Sequence, residues 1–259
     1  MIILTGSKGF IGSHFKKYLN DVLEVEIDDC LDFIKNFNNW DEVDLIIHQG
    51  AISSTTETDI QKINKFNVYF TLELFNKAIE FGIPVKYASS ASVYGNEDKC
   101  FNPLNQYAIS KLQIDYWVLD NIDKFSKIQG FRYFNVYGNN EEHKAEQASP
   151  VSKFVWQSRD TGVIKLFKGS QNFYRDFICV SDLVEIVLNN QNDSGIFDLG
   201  TGQPVSFQSV AESVANKYNA DIKFIDFPKI LKSKYQKYTC AKQEFDYKNF
   251  ITVEGYIND

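Results

Sequence analysis

The stretch Thr5–Gly12, TGSKGFIG, sets glycines at positions 6, 9 and 12. It follows an apolar run, MIIL, that reads as a strand, and it opens a run, FIGSHFKKY, that reads as a helix. At such a junction glycine permits a tight turn and lets backbone approach a diphosphate closely, while the free N–H groups and positive dipole end of the helix face the charge. A glycine triplet alone is a weak signal. Here the next strand, LEVEID, ends in Asp28 and Asp29 about 20 residues on, where an acid accepts hydrogen bonds from an adenosine ribose. Strand, glycine turn, helix and acid together fit the dinucleotide fingerprint, with Gly6, Gly9, Gly12, Asp28 and Asp29 as its residues. Asp28 argues for NAD, and Lys8 in the turn argues for the 2′-phosphate of NADP. Both remain open, with NADP the expected cofactor and NAD the alternative.

Working outward, short apolar runs (LEVEID, DLIIHQGA, VKYASSASVYG, IQGFRYFNVYG) alternate with helical patterns such as QKINKFNVYFTLELFNKAIEFG. That alternation argues for βαβ units and an α/β fold, a Rossmann doubly wound parallel sheet with a smaller, partly irregular C-terminal substrate domain. The expected division is 1–139 with 172–202 for dinucleotide binding, and 140–171 with 203–259 for substrate. NNEEHKAEQASP reads as a loop, SFQSVAESVANKY as a helix and KFIDFPKILKSKYQKYTC as irregular structure.

The 259 residues, 44% of them apolar, suffice for a large core. Net charge is −7 with no basic block, which argues against a nucleic-acid partner. No apolar run approaches the roughly 20 residues of a membrane span, and no basic leader precedes the first strand, so a cytoplasmic protein without a membrane partner is expected. The four cysteines are scattered, and no metal site is expected. His48 closes an apolar strand and reads as a satisfied core residue. His14 lies on the first helix, and His143 has no metal-ligand spacing around it.

YAISK, residues 107–111, lies in a helical run, so Tyr107 and Lys111 share a face one turn apart. A nearby ammonium stabilises phenolate and is expected to lower the tyrosine pKa, making the phenol a usable acid and base. An isolated YxxxK is usually an ordinary surface pair; here the upstream strand end, YASSASVYG, offers Ser90 as a second hydroxyl, and the glycine turn offers a hydride carrier.

With TGxxGxxG, a serine at the fourth strand's end and YxxxK, the chain resembles the extended short-chain dehydrogenase/reductase family over nearly its whole length. Within it, HQGAISSTTE, GFRYFNVYGNNEEHK, LFKGSQNFYRDF and SGIFDLGTGQPVSFQSVA resemble the nucleotide-heptose 6-epimerase branch. The resemblance implies a nucleotide-sugar substrate, inverted by removing hydride from a carbinol carbon and returning it to the other face. It makes Tyr107 the base, Lys111 its tuning residue, Ser90 the group that steadies the oxygen, and Lys144 a second acid/base. It places Phe10, Ile11, Gly50, Ala51, Ser53 and Asn67 beside the cofactor, together with Tyr107 and Lys111. It places Asn135, Val136, Lys144, Phe167, Lys168, Gly169, Ser170, Arg175 and Tyr235 beside the substrate, with Arg175 on the diphosphate unless it pairs with Asp176. Extended members are commonly homo-oligomers.

Two internal stretches depart from the family. Only about a dozen residues separate LEVEIDDC from DLIIHQGA, where the family fits a further strand that builds the adenine side. Glu146 and Lys153 stand where the family has a serine and a histidine near the sugar. Two other readings share these residues: another nucleotide-sugar epimerase or dehydratase, and a non-catalytic NAD(P)-binding protein.

Overall fold

A computed structural model describes residues 1–96, 100–228 and 235–259, and the side chain of Glu146 lies outside what it describes. Strands and helices follow in the order β1 (Ile2–Thr5), α1 (Phe10–Lys16), β2 (Val22–Val25), α2 (Cys30–Asn36), β3 (Leu45–His48), α3 (Ile60–Ile63), α4 (Phe70–Phe81), β4 (Val85–Ser90), α5 (Gln106–Asn121) and β5 (Ile128–Tyr133). The rest is β6 (Asn135–Tyr137), α6 (Pro150–Thr161), β7 (Val163–Phe167), β8 (Tyr174–Arg175), β9 (Phe177–Cys179), α7 (Val180–Asn189), β10 (Gly195–Leu199), β11 (Val205–Ser206), α8 (Phe207–Tyr218), β12 (Asp221–Ile225) and α9 (Val253–Asn258). Two compact units result, the first from 1–94, 101–132 and 187–197, the second from 95–100, 133–186 and 198–259.

In the first unit six strands form one sheet in the order β10-β5-β4-β3-β1-β2, with β2, β1, β3 and β4 paired in parallel. Every residue of β5 is buried, as in a strand covered on both faces, which explains why IQGFRY shows no polar–apolar alternation. Gly130 gives β5 room there: a Cβ on it would lie 2.4 Å from the Tyr87 ring of β4. The sheet grows from β1 toward β2 on one side and from β3 onward on the other, so strand order reverses between β1 and β3. In open α/β sheets that reversal leaves a crevice at the carboxyl ends of the two strands. Ile3, Ile46, Leu74, Phe75, Tyr87 and Ile114 are core residues of this unit.

Where the family fits a further strand, the short link holds α2 and a 3₁₀ turn, Trp40–Glu42. Its aromatic residues close the flank instead: Phe37 lies 4.9 Å from both Phe33 and Trp40, and Trp40 lies 6.2 Å from Phe81 on α4. Among the described residues β2 is left as an edge strand.

The second unit pairs β6 with β9 and β7 with β12 in parallel, and β8 with β11 antiparallel. Residues 133–139, 172–186 and 198–202, grouped by sequence with the dinucleotide-binding part, pack here. Pairing of β6 with β9 buries Tyr137, Phe177 and Cys179 in the core that also holds Val151, Ile164 and Val210. Asp176, 0% exposed, binds two distant segments: it accepts from the Thr201 amide and hydroxyl at 2.7 Å each, the Gly202 amide at 2.8 Å and the Ala241 amide at 2.8 Å. The expected loop 139–150 contains a 3₁₀ turn, Glu142–Gln147. The stretch read as irregular, 223–240, instead begins inside β12, whose last three residues are Lys223–Ile225; 229–234 lie outside the described residues, and 226–228 and 235–240 carry no regular element.

Candidate active site

The glycine turn sits at the strand-order reversal. Gly6 has φ +68°, and a Cβ there would come within 2.7 Å of Gly50 Cα, just past β3. A Cβ on Gly12 would stand 2.0 Å from the Gly6 carbonyl oxygen. Gly9 caps α1 with no side-chain partner, and the first turn carries no acid. Backbone N–H groups at the start of α1 are therefore left to an anion, and the glycines let the turn pack against the end of β3 where a Cβ would collide with backbone. Phe10 is buried and Ile11 half-buried behind them; Gly50 and Ala51 are half-buried, and Ser53 is exposed. Asn67 is buried with its amide fully engaged: it accepts from Ile52 N at 2.7 Å and donates to Ile52 O at 3.0 Å and Ser110 Oγ at 3.1 Å. It shapes the loop after β3.

The acids beside the turn differ from those expected. Asp28 is exposed, and Asp29 accepts from the Glu26 amide at 2.8 Å, which builds the turn leading into α2. It is Glu26, the first residue after β2, whose carboxylate meets Ser7 Oγ at 2.7 Å and the Lys8 amide at 3.0 Å. Glu24 also contacts Ser7 Oγ, and its carboxyl is held below the usual range chiefly by the Lys16 ammonium at 2.6 Å. Period-two alternation in LEVEID puts Glu24 and Glu26 on one strand face, a signal that was readable but lost to the nearer match of spacing at Asp28.

On α5, capped by the Asn105 side chain, Tyr107 and Lys111 do lie one turn apart. Their interaction differs from the expectation. Lys111 is 2% exposed and donates to the Ala88 carbonyl of β4 at 2.7 Å; burial pushes its pKa down to about 8, opposed by the charge of Asp115. Tyr107 has its pKa raised by burial, while a hydrogen bond with Ser90 works to lower it. The charge on Lys111 thus does not set the phenol, and Ser90 is the group that favours phenolate. Ser92, which the sequence reading passed over, donates to Ser90 Oγ at 2.9 Å and fixes its orientation. Behind Lys111 stands a buried set also missed in sequence: Asp115 accepts from Tyr87 at 3.1 Å and Arg132 at 2.9 Å, and Arg132 donates to Tyr94 at 2.8 Å. Asp115 is four positions beyond Lys111, so helix periodicity was the available signal.

In the second unit Arg175 is 5% exposed, its guanidinium 5.4 Å from the Phe207 ring centre and 5.2 Å from that of Tyr235, and it donates to the Tyr174 carbonyl at 2.9 Å. Burial lowers its pKa to about 10. Asp176 is committed to neutral donors, so the ion pair weighed at the sequence level is not made. Ser170, 1% exposed, has an Oγ without a hydrogen-bond partner among the described residues. Gly169 before it takes φ +87°. Phe167 meets Phe227 at 5.1 Å, whereas Lys168 reaches into solvent to Asp226 at 2.7 Å. Asn135 and Val136 form the half-buried start of β6. Lys144 pairs at 3.0 Å with Glu141, a buried carboxylate that also accepts from Ser149 N, Ser149 Oγ and Ser152 Oγ at 2.6–2.8 Å. Lys153 is half-buried on α6. No group of three or more potential metal ligands occurs among the described residues, and no described helix is long and apolar enough to cross a membrane.

A glycine turn at the strand-order reversal, with a serine–tyrosine hydrogen bond and a buried lysine on the neighbouring strand and helix, matches a described family. Residues 2–198 fit the NAD dependent epimerase/dehydratase family. The chain belongs to that family. It is 39% identical, over 93% of its length and 89% of the relative's, to an ADP-L-glycero-D-manno-heptose-6-epimerase of Brachyspira hyodysenteriae. Among solved structures it resembles the ADP-L-glycero-D-manno-heptose-6-epimerase of Helicobacter pylori, with TM-score 0.79 and 25% identity across 100% of this chain and 94% of that one. It shares its fold with the UDP-N-acetylglucosamine 4-epimerase of Methanobrevibacter ruminantium, TM-score 0.85 at 19% identity, covering 99% and 95% of the two chains. As a member of the NAD dependent epimerase/dehydratase family it is expected to use a nicotinamide dinucleotide, and the N–H groups at the start of α1, uncapped by any side chain, suit that cofactor's diphosphate.

Proposed function

We propose that the protein is an ADP-L-glycero-D-manno-heptose 6-epimerase that inverts C6 of an ADP-heptose by transient oxidation. Likeness to one such epimerase across nearly the full length of both chains carries this reading, and the hydrogen bond between Ser90 and Tyr107 beside the buried Lys111 supports its chemistry. A bound NAD(P) supplies the hydride acceptor and donor and, when oxidised, a positive charge on its ring. Tyr107 takes the proton of the substrate hydroxyl as hydride leaves and gives it back as hydride returns. Its phenol starts above the ordinary pKa because of desolvation, so Ser90 and the cofactor's charge together bring it into working range.

Lys144 and Arg175 are assigned by the family pattern as second acid/base and diphosphate ligand. Arg175 suits its role because a buried guanidinium that, among the described residues, faces a carbonyl and two rings gains from an anion. For the cofactor, we infer NAD over NADP: the carboxylates of Glu24 and Glu26 at the turn repel a 2′-phosphate and suit ribose hydroxyls.

The test is NMR observation of C6 in ADP-D-glycero-D-manno-heptose incubated with purified protein, with NAD or NADP supplied. Inversion without net consumption of cofactor is expected. Tyr107→Phe should keep the circular dichroism of the native fold while turnover falls by roughly 10²–10⁴-fold. A wild-type chain inert on this substrate, or a Phe variant near full activity, overturns the reading.

A further inference from the structure

One buried histidine takes no part in the chemistry above. His48 closes β3 at 1% exposed, and both of its ring nitrogens meet threonine hydroxyls. Thr71 Oγ1 lies 2.6 Å from the Asn67 carbonyl, which can only accept, so its single proton is committed there. His48 Nε2, 2.8 Å from the same hydroxyl, must then be the donor. Burial drives the imidazole pKa down to about 3, and the Lys111 charge pushes the same way, so the ring is neutral and Nδ1 is bare. Nδ1 accepts from Thr5 Oγ1 at 2.7 Å, and Thr5 Oγ1 accepts from the Gly50 amide at 2.9 Å. Beyond Thr71, the Asn67 side chain donates to Ser110 Oγ at 3.1 Å, and Ser110 Oγ donates to the Tyr107 carbonyl at 2.7 Å.

We propose that His48, as the Nε2–H tautomer, is a positioning residue that ties the glycine turn at the ends of β1 and β3 to the helical segment bearing Asn67 and, through Ser110, to the turn of α5 bearing Tyr107. The proposal rests on the reading of Tyr107 as the base. Gly6 is packed against Gly50, and Gly50 in turn against Thr5. Asn67 sits in a π-helical stretch, Asn64–Tyr69, between α3 and α4, where the backbone widens. Such widened turns occur often at functional sites. An apolar side chain could fill the volume of His48, but it would leave two buried hydroxyls and a directed chain of bonds without a centre. A neutral imidazole is suited to the place because it is a donor at one end and an acceptor at the other.

Histidine-selective ¹⁵N labelling of the full chain tests the tautomer directly. Long-range ¹H–¹⁵N spectra should show His48 protonated on Nε2 and bare on Nδ1, unchanged between pH 5 and 8. An Nδ1–H tautomer, or titration within that range, overturns the proposal. Thr71→Val removes the relaying hydroxyl at near-constant volume. It should shift the Ser110 and Tyr107 amide resonances and lower kcat about tenfold or more at saturating cofactor, the usual scale for a lost second partner of a site residue. Thr71→Ser, which keeps the hydroxyl, should restore both. A Val variant that is less stable yet keeps kcat and those resonances assigns His48 a packing role alone and overturns the proposal. If the wild-type chain does not invert ADP-heptose, the function reading fails, while the tautomer and the amide shifts still decide this one.

Discussion

Lys111 shows how burial outweighs spacing at the level of one residue. Its ammonium is sealed against β4 with a folded pKa of about 8, below the ordinary 10.5. Keeping that charge buried opposes folding at every pH below about 8. The opposition fades as pH rises from 8 toward 10.5, because there the folded chain has released the proton and the unfolded chain still holds it. Urea denaturation of wild type and Lys111→Met across pH 7–10 should therefore show the Met variant's relative stability falling with pH, by up to about 3 kcal/mol. A pH-independent difference would mean that the ammonium is not desolvated. The YxxxK spacing, and hence the shared face, was legible in sequence. The direction of the tyrosine shift was not, because it depends on burial and on a hydrogen bond to Ser90, neither of which a spacing encodes. Arg175 was legible as a residue needing a partner; that Asp176 would be taken up by backbone amides 25 and 65 positions away was not.

At the scale of elements, the proposed preference for NAD rests on the end of β2. Glu26 meets both the Ser7 hydroxyl and the Lys8 amide of the glycine turn. Two like charges about 5 Å apart in partly screened surroundings repel by enough to change affinity tenfold or more. Glu26→Gln should accordingly shift the ratio of NADP to NAD affinity toward NADP by about tenfold, measured as dissociation constants by nucleotide fluorescence. An unchanged ratio would remove Glu26 from cofactor selection. The strands and helices of the first unit were readable because apolar runs and 3.6-residue patterns alternate cleanly along it. Where β2 ends was not, since that depends on its pairing with β1, which stops at Val25 and leaves Glu26 at the rim.

For the molecule as a whole, the fold class could be read from order and periodicity, whereas the partition between units could not. β6 and β9 lie 42 positions apart, and only their pairing shows that 133–139 and 172–186 belong with the second core. Asp176 holds that unit's separate segments to one point. Asp176→Asn turns one acceptor oxygen into a donor facing backbone N–H groups. It should lower stability by about 2–4 kcal/mol in chemical denaturation, and an unchanged midpoint would show that the segments are held by packing alone.

The short link between β2 and β3 has a consequence for behaviour at high concentration. Without a further strand among the described residues, β2 leaves there a row of backbone donors and acceptors, the kind of template on which chains join edge to edge and aggregate. This edge is only four residues long, and it carries Glu24 with Lys16 across from it. Brevity and charge are the two means by which natural sheets resist such growth, so trimming the sheet here has left a rim that discourages fibrous assembly.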